Sequence, residues 1–434
     1  VRSLELPVLS LVVYSSSIKA RAGPNAAAHR AMARPASLTR WTTSSQPPTG
    51  CLSRRRHRAD AARGRRASSS PVVATKRASL MKRSRGEKRA DIARATADVD
   101  AAEDVDADAD ADAEELAGEI EIPAEAKHVT VVDDFLPADL ASVLRGVYDA
   151  RHDDPRRVHA HRFVWDYWHV PQQYTLLRTP AADYFEDDDQ YARLEDALRS
   201  YARTELGCGG LTPVWLSCYV DGCRQELHAD VPHGPWAFVL SLTRWDARLF
   251  TGGETLVLNP ETLEYWRTFR SDDVVERASL TTTIEPLFNR LTVFDPRVPH
   301  GVPVVEGVRD PKLGRLVLHG WFNDPEPFFD GALSETDAEE TLLDVLPPLY
   351  ETLGTLPRAR GVVAAKVFVK RDGGVERVQF TADSLVPSPE GVGGELSATD
   401  IRDAIMLEIA GTLMETTFPA SDGETRITLP FVFD

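Results

Sequence analysis

In the stretch Arg224-Gln-Glu-Leu-His-Ala-Asp230 a histidine and an aspartate stand two residues apart beside strand-like sequence. Alternate side chains of a strand share a face, so His228 and Asp230 project the same way. A second imidazole, His300, lies far along the sequence inside Val298-Pro-His-Gly-Val302. Two imidazoles and a carboxylate meeting at one point make a metal site that leaves coordination positions open. An HxD pair alone is a weak signal. Its weight here comes from the strand before it, the strand after it, His300, and an arginine heading a third strand, Arg315-Leu-Val-Leu-His-Gly-Trp-Phe322.

That third strand is informative by itself. Period-two alternation places Arg315, Val317, His319 and Trp321 on one face and Leu316, Leu318 and Phe322 on the other. A cation heading an inward face is costly unless it meets an anion. The guanidinium group suits a two-pronged grip on a carboxylate.

Short strands dominate the middle of the sequence. Val129–Val132 reads as a strand, and Asp134-Phe-Leu-Pro-Ala-Asp139 opens a helix with Leu140, Val143, Leu144 and Val147 on one face. Trp165, Tyr167, Trp168 and Tyr174 crowd one segment and are read as filler beneath a loop, with a substrate groove as the alternative; Gln173–Arg178 reads as a strand. Tyr191, Leu194, Leu198 and Tyr201 have the spacing of a core-facing helix stripe. Strands are expected at Leu211–Tyr219, Gln225–Asp230, Ala237–Leu242, Glu254–Leu258, Leu291–Phe294, His300–Val305 and Arg315–Phe322. Gly252-Gly253 permits close backbone approach. The polar connection from Asn259 to Asn289 is long enough to set substrate identity. Many short strands with non-local pairing fit a double-stranded β-helix of jelly-roll type with flanking helices. His159, His161 and His169 are read as surface or structural, and His233 as a loop residue rather than a ligand.

Together, Tyr219-Val-Asp-Gly222, the HxD, Phe250-Thr-Gly-Gly-Glu254, Arg290-Leu-Thr-Val-Phe-Asp295, His300-Gly-Val and Arg315–Phe322 resemble a 2-oxoglutarate- and Fe(II)-dependent dioxygenase of the prolyl-hydroxylase type. The likeness is greatest to the group that hydroxylates a proline of a ribosomal protein. The resemblance implies Fe(II) on His228, Asp230 and His300, with the distal carboxylate of 2-oxoglutarate on Arg315. It also implies a contact from Tyr219, for which core packing is the rival reading, and Trp321 as a pocket wall. Arg309 and Lys312 compete with Arg315, because relatives place their basic residue nearer the histidine. Arg315 keeps register with Gly-Trp-Phe, which makes Glu306–Gly314 an enlarged turn. His319 stands where relatives carry a small hydroxyl residue, and its role is open. The implied reaction uses O2, decarboxylates 2-oxoglutarate to succinate and hydroxylates an unactivated C–H of a protein side chain such as proline, with ascorbate as an accessory reductant. A catalytically inactive jelly-roll scaffold is the alternative. A Zn-dependent hydrolase is a third reading, disfavoured by the lack of a dedicated general-base glutamate.

The net charge of −17 conceals a split. Up to Arg94 there are 21 Lys and Arg against 4 Asp and Glu, giving +17 and leaving −34 for the remainder. The folded part is therefore a poor nucleic-acid binder, which needs a cationic surface. Residues 1–126 are expected to be disordered, basic and then acidic, without a core. The basic part has the composition of a transit peptide and carries a nuclear-import-like cluster from Lys76 to Arg89, so its destination stays open. Met32 and Met81 are candidate starts in a sequence that begins with Val. No apolar run approaches the ~20 residues of a membrane span. Cys51, Cys208, Cys218 and Cys223 form no disulfide framework, and Cys218 and Cys223 are expected as buried thiols.

The oxygenase domain is placed at 127–330 and a helical linker, broken at Pro347-Pro348, at 331–357. A small α+β module of ββαβ order occupies 358–434, with Arg358–Gly361 read as a connecting segment. Its signals are alternation around Asp372-Gly373-Gly374, a capping box at Ser397–Asp400 opening a helix that buries Ile401, Ile405, Ile409 and Leu413, and a last strand at Thr425–Phe433. This module resembles the C-terminal domain of TonB-like energy transducers. The implied role is binding a protein partner.

Overall fold

The computed structural model describes residues 120–123, 127–153, 165–185, 187–230, 233–260, 262, 280–388 and 397–433. The expectations for the basic segment, nearly all of the acidic run, Cys51, His159, His161 and most of the long connection after Asn259 lie outside these residues. Strand β1 (Ile120–Glu121) precedes β2 (Val129–Val132) and helix α1 (Ala138–Asp153). A hairpin of β3 (Asp166–Val170) and β4 (Tyr174–Pro180) leads to the single turn α2 (Ala181–Tyr184) and to α3 (Asp188–Tyr201). Then come β5 (Cys208–Leu211), β6 (Trp215–Tyr219), β7 (Arg224–His228) and β8 (Trp236–Ser241). They are followed by β9 (Thr255–Leu258), β10 (Thr281–Ile284), β11 (Leu291–Phe294), β12 (His300–Val302) and β13 (Arg315–Pro325). The remainder is β14 (Phe328–Gly331), α4 (Glu335–Leu353), β15 (Ala359–Val369), β16 (Val375–Asp383), β17 (Val386–Pro387), α5 (Ala398–Met414) and β18 (Thr425–Phe433).

Ten strands run β10-β9-β12-β7-β4-β6-β13-β8-β11-β2, with β3 added to β4 and β5 to β13. Strand β4 pairs with β6 through Leu177–Pro180 and with β7 through Tyr174 and Thr175, so the sheet curls over itself there. The result is an antiparallel jelly-roll core with few helices, as the strand pattern predicts. Its outer face carries Leu316, Leu318 and Phe322, packed with Leu140, Leu144, Leu194 and Leu198 of α1 and α3. The opposite face of β13 turns Val317 toward Tyr219, Leu176 and Val302.

The face expected for α1 is rotated. Leu140, Ala141, Leu144 and Tyr148 are buried, whereas Val143 is exposed. Arg145 makes the shift tolerable by donating from Nη1 to the Leu242 carbonyl at 2.8 Å and pairing with Asp149. The aromatic segment matches the expected filler only in Trp165 and Tyr174, which pack against the cores. Between them lies β3, on which Tyr167 is 65% exposed and Trp168 37% exposed.

The second sheet runs β1-β16-β15-β18-β14, with β17 against β15. The hairpin turn, the capping box and all four buried positions of α5 match the sequence reading. Four expectations need correction. Ile120–Glu121 belongs to this sheet, paired in parallel with Val378 and Gln379, rather than to a segment without structure. Residues 331–357 are not a linker: α4 buries Ala338, Leu342, Leu349 and Leu353 in the second core. Arg358–Gly361 is likewise no separate connection, since β15 begins at Ala359. Nor do Pro347 and Pro348 interrupt the helix. Both are exposed, and the carbonyls deprived of a helical donor belong to exposed Leu343 and Asp344, on the solvent side of the helix.

The two lobes share a boundary made mostly by the π turn Ala202–Leu206 after α3. Lys366 Nζ donates to Glu205 Oε1 at 2.7 Å, and Thr428 Oγ1 donates to the Thr204 carbonyl at 2.9 Å. Val362, Ala364 and Ala382 join the first core. Gly207 closes the turn at φ 61°, and a Cβ there would lie 2.7 Å from Cδ of Pro430. No helix among the described residues is long and apolar enough to cross a membrane.

Candidate metal centre and anion pocket

Antiparallel pairing of β7 with β12 sets His300 directly across from His228, with ring centroids 4.5 Å apart. Asp230 follows β7 and is pinned by its backbone N–H, which donates to the Pro296 carbonyl at 2.9 Å. Its carboxylate faces both imidazoles: Oδ1 is 3.5 Å from His228 Nε2, and Oδ2 is 3.6 Å from His300 Nε2. A neighbouring pair and a third residue far along the sequence thus present donor atoms within 4.8 Å of one another.

The backbone fixes the tautomers. His228 Nδ1 contacts the Glu226 carbonyl at 2.8 Å, and His300 Nδ1 contacts the Val298 carbonyl at 3.0 Å. A carbonyl only accepts, so each Nδ1 carries a proton and donates it. Each Nε2 lone pair is left directed at the shared centre, as in metal-binding histidines generally. Donors about 2.1 Å from one ion and at right angles lie about 3 Å apart, close to the separations seen. The donor chemistry therefore fits a divalent first-row metal. Among the described residues no further His, Cys, Asp or Glu joins the three, so part of a coordination sphere is left for exogenous ligands.

Burial pushes the Asp230 carboxyl up, but its contacts with His228 and His300 outweigh this and hold it well below the usual carboxylate range. Burial likewise pulls His228 down, and the bonds to Asp230 and to the Glu226 carbonyl reverse it, leaving a net upward shift. Trp321 does more than the wall role anticipated from sequence. Its indole Nε1 donates to Asp230 Oδ2 at 3.1 Å. The alternation on β13 placed Trp321 on the correct face, but a contact to a loop carboxylate carries no local sequence signal.

The other end of the same face of β13 carries Arg315, only 1% exposed. Its guanidinium lies 4.6 Å from the Tyr219 ring centroid, and Nη2 donates to Thr255 Oγ1 at 3.1 Å. Nε is buried without a hydrogen-bond partner, and no carboxylate among the described residues pairs with the group. A fully buried cation in this state calls for an anion. The rivals are elsewhere: Arg309 has a 91% exposed side chain and reaches Asp221 at 3.7 Å, while Lys312 pairs with Asp153. Gly252 and Gly253, at φ 74° and 85°, bring the backbone against Val304 and Val305. A Cβ on Gly253 would sit 3.2 Å from Val305 Cγ2 and 3.4 Å from Arg315 Cδ, so glycine leaves the cation uncrowded.

Tyr219 donates from its hydroxyl to Gln225 Oε1 at 2.6 Å, and burial pushes its pKa to about 12, so it remains a donor. His319 Nε2 meets Ser217 Oγ at 2.8 Å. Burial first, then the charges of Arg315 and Arg178, depress His319 to about 4 and keep it neutral. His233 lies outside the strands against the Trp321 ring at 4.4 Å and is not among the three grouped donors. His169 is at the surface, against Thr175 Oγ1 at 2.9 Å. Cys218 and Cys223 are buried free thiols, as is Cys208.

No protein-family model matches the sequence, and no curated protein matches it. Among solved structures it is similar to a Pseudomonas putida prolyl-4-hydroxylase, with 20% identity over 48% of this protein and 95% of that one, at a TM-score of 0.32. It is similar to a Trichoplax adhaerens prolyl hydroxylase solved with a hypoxia inducible factor peptide fragment, at 15% identity, 50% and 94% coverage and a TM-score of 0.32. A viral collagen prolyl hydroxylase from Paramecium Bursaria Chlorella virus-1, in complex with 2-oxoglutarate, is 14% identical over 45% and 95%, at a TM-score of 0.29.

Proposed function

We propose that this protein is an Fe(II)- and 2-oxoglutarate-dependent dioxygenase that hydroxylates an unactivated C–H of a protein side chain, with proline the first candidate. The observation that carries the reading is the meeting of His228, Asp230 and His300 on a face that also buries an unpaired Arg315. His228 and His300 would bind the metal through Nε2, and Asp230 through its carboxylate. Bound iron, with O2 and 2-oxoglutarate, supplies the oxidation that inserts oxygen into a C–H bond while the keto acid is decarboxylated to succinate.

The protein's own groups bind, orient and exclude water. Arg315 would grip the distal carboxylate of 2-oxoglutarate through Nε and a terminal nitrogen, with Thr255 fixing its plane. Tyr219 closes over the guanidinium and offers a protonated hydroxyl nearby. Neutral His319 adds no charge that would compete with Arg315 for the anion. Trp321 holds the Asp230 carboxylate so that one oxygen stays directed at the centre. Among the described residues no glutamate joins the three donors.

The test is anaerobic addition of Fe(II) and 2-oxoglutarate. A visible metal-to-ligand charge-transfer band is expected, and Arg315→Ala should weaken its 2-oxoglutarate dependence at least tenfold, the scale of a lost charge-assisted pair (about 1.5–3 kcal/mol). Absence of the band in the unaltered protein would remove the assignment.

A further inference from the structure

Arg178, at the inner face of β4, is a second cation with no anion paired to it among the described residues. Its Cζ lies 3.4 Å from the ring centroid of Trp168 on β3 and 4.2 Å from that of Trp215 on β6. The guanidinium is thus clamped between indoles from the two strands flanking its own. Stacking fixes the plane but satisfies none of the N–H groups, and Nε is buried with no hydrogen-bond partner. Asp166 stands opposite on β3 and its charge favours the guanidinium, but no hydrogen bond or ion pair joins the two side chains. A planar fork of donors, held rigid with its edges unused, is a preformed carboxylate receptor.

Its position relates it to the metal centre. Trp168 is opposite Leu176 and so lies between Tyr174 and Arg178 on one face of the hairpin. The Trp168 ring is 5.4 Å from that of Tyr174, which is 5.5 Å from that of His228. A continuous aromatic wall therefore runs from the metal-facing imidazole to the clamped cation. It is not enclosed, since Trp168 remains 37% exposed. Tyr174 and Arg178, four residues apart on a strand, are separated by about 13 Å, the reach of about three to four residues of an extended peptide.

We infer that Arg178, clamped by Trp168 and Trp215, is a specificity subsite for a carboxylate on the substrate, a few residues from the position that is oxidised. This rests on the oxygenase reading and extends it. The carboxylate belongs to an Asp or Glu side chain or to the C-terminus of a peptide. Residues 127–434 carry −21, the −34 beyond Arg94 less the 13 acidic residues of 95–126, and repel acidic polypeptides in general, so the single clamped cation decides which acidic segment is accepted.

The experiment uses fluorescent proline peptides carrying Asp, Asn or Lys at one to five residues from the proline, each with a free or an amidated C-terminus. Binding to the protein loaded with Fe(II) and 2-oxoglutarate under anaerobic conditions is read by anisotropy. Asp peptides, or free C-termini at the matching distance, should bind about tenfold tighter than their neutral counterparts. The preference should fall below about twofold in Arg178→Gln and return in part in Arg178→Lys. The charge-transfer band of Arg178→Gln should match that of the unaltered protein. Equal or absent binding of acidic and neutral peptides, a preference that survives Arg178→Gln, or a weakened 2-oxoglutarate dependence in that variant would each overturn the inference. A missing band in the unaltered protein would instead strike the oxygenase reading. Circular dichroism on both variants excludes misfolding as the cause of a lost preference.

Discussion

Replacing Trp321 by Phe removes one hydrogen bond to the metal-facing carboxylate and little else. The indole N–H to Asp230 Oδ2, at 3.1 Å, is lost, while a ring remains to pack against His233. A bond to an ionised acceptor contributes about 1.5–3 kcal/mol, and removing a partner of this kind typically costs about 10–100-fold in metal affinity. The Asp230 side chain retains 21% exposure, so water replaces part of what is lost and the lower end applies. The expected result is a dissociation constant for Mn(II) or Co(II) raised about tenfold, or about 1.4 kcal/mol. Isothermal titration under nitrogen measures it, and the melting temperature of the metal-free variant controls for packing. An affinity within about twofold of the unaltered protein, with the fold intact, would refute the idea that Trp321 holds Asp230 for the metal.

Three more outcomes follow from the same structure. Protons and metal compete for His228 Nε2, whose pKa is raised above the ordinary 6.5, so Mn(II) affinity should fall as pH drops through that raised value. In the metal-free protein the signs run oppositely for the partners. The raised His228 stabilises below 6.5 and loses its contribution as pH climbs through the folded value, whereas the depressed Asp230 stabilises above 3.8 and loses it on acidification. Melting temperature against pH should therefore crest between those limits for the apo protein, and a crest unchanged in Asp230→Asn would contradict it. Separately, Arg402 Nε and Asp383 Oδ2 pair at 2.5 Å with side chains 4% and 2% exposed. Arg402→Leu should cost about 3 kcal/mol in urea denaturation by stranding a buried carboxylate, and adding Asp383→Leu to that variant should recover most of it.

What could be read from sequence divides along a physical line. Alternation on β13 placed every residue from Arg315 to Phe322 on its observed face except Gly320, which has no side chain to place. Helix α5 was legible because its cap and its 3.6-residue stripe agree. Both signals are local. The rotated face of α1 was not, because Arg145 reads as a surface residue until the Leu242 carbonyl is known to wait for it. Strand β3 hid behind its aromatics, whose size suggests burial although the strand adds to the exposed side of β4. Strand β1 has two residues, and its partners Val378 and Gln379 lie so far along the sequence that no window detects the pairing. At the site, the three donors were legible as types, while the indole bond to Asp230 and the clamp around Arg178 depend on strands meeting in space.

Strand β14 leaves β13 almost at once and pairs with β18, so Phe328 meets Thr428 near the end of the sequence. The turn after β11 has a similar debt: Asp295, beside the carbonyls that orient Asp230 and His300, accepts from Ser384 Oγ at 3.0 Å. During synthesis the three donors can assemble early, but the support of their turn must wait until Ser384 has left the ribosome. A polypeptide halted after residue 330 should therefore present His228, Asp230 and His300 beside a loosely supported turn, which tightens once the segment carrying Ser384 is added.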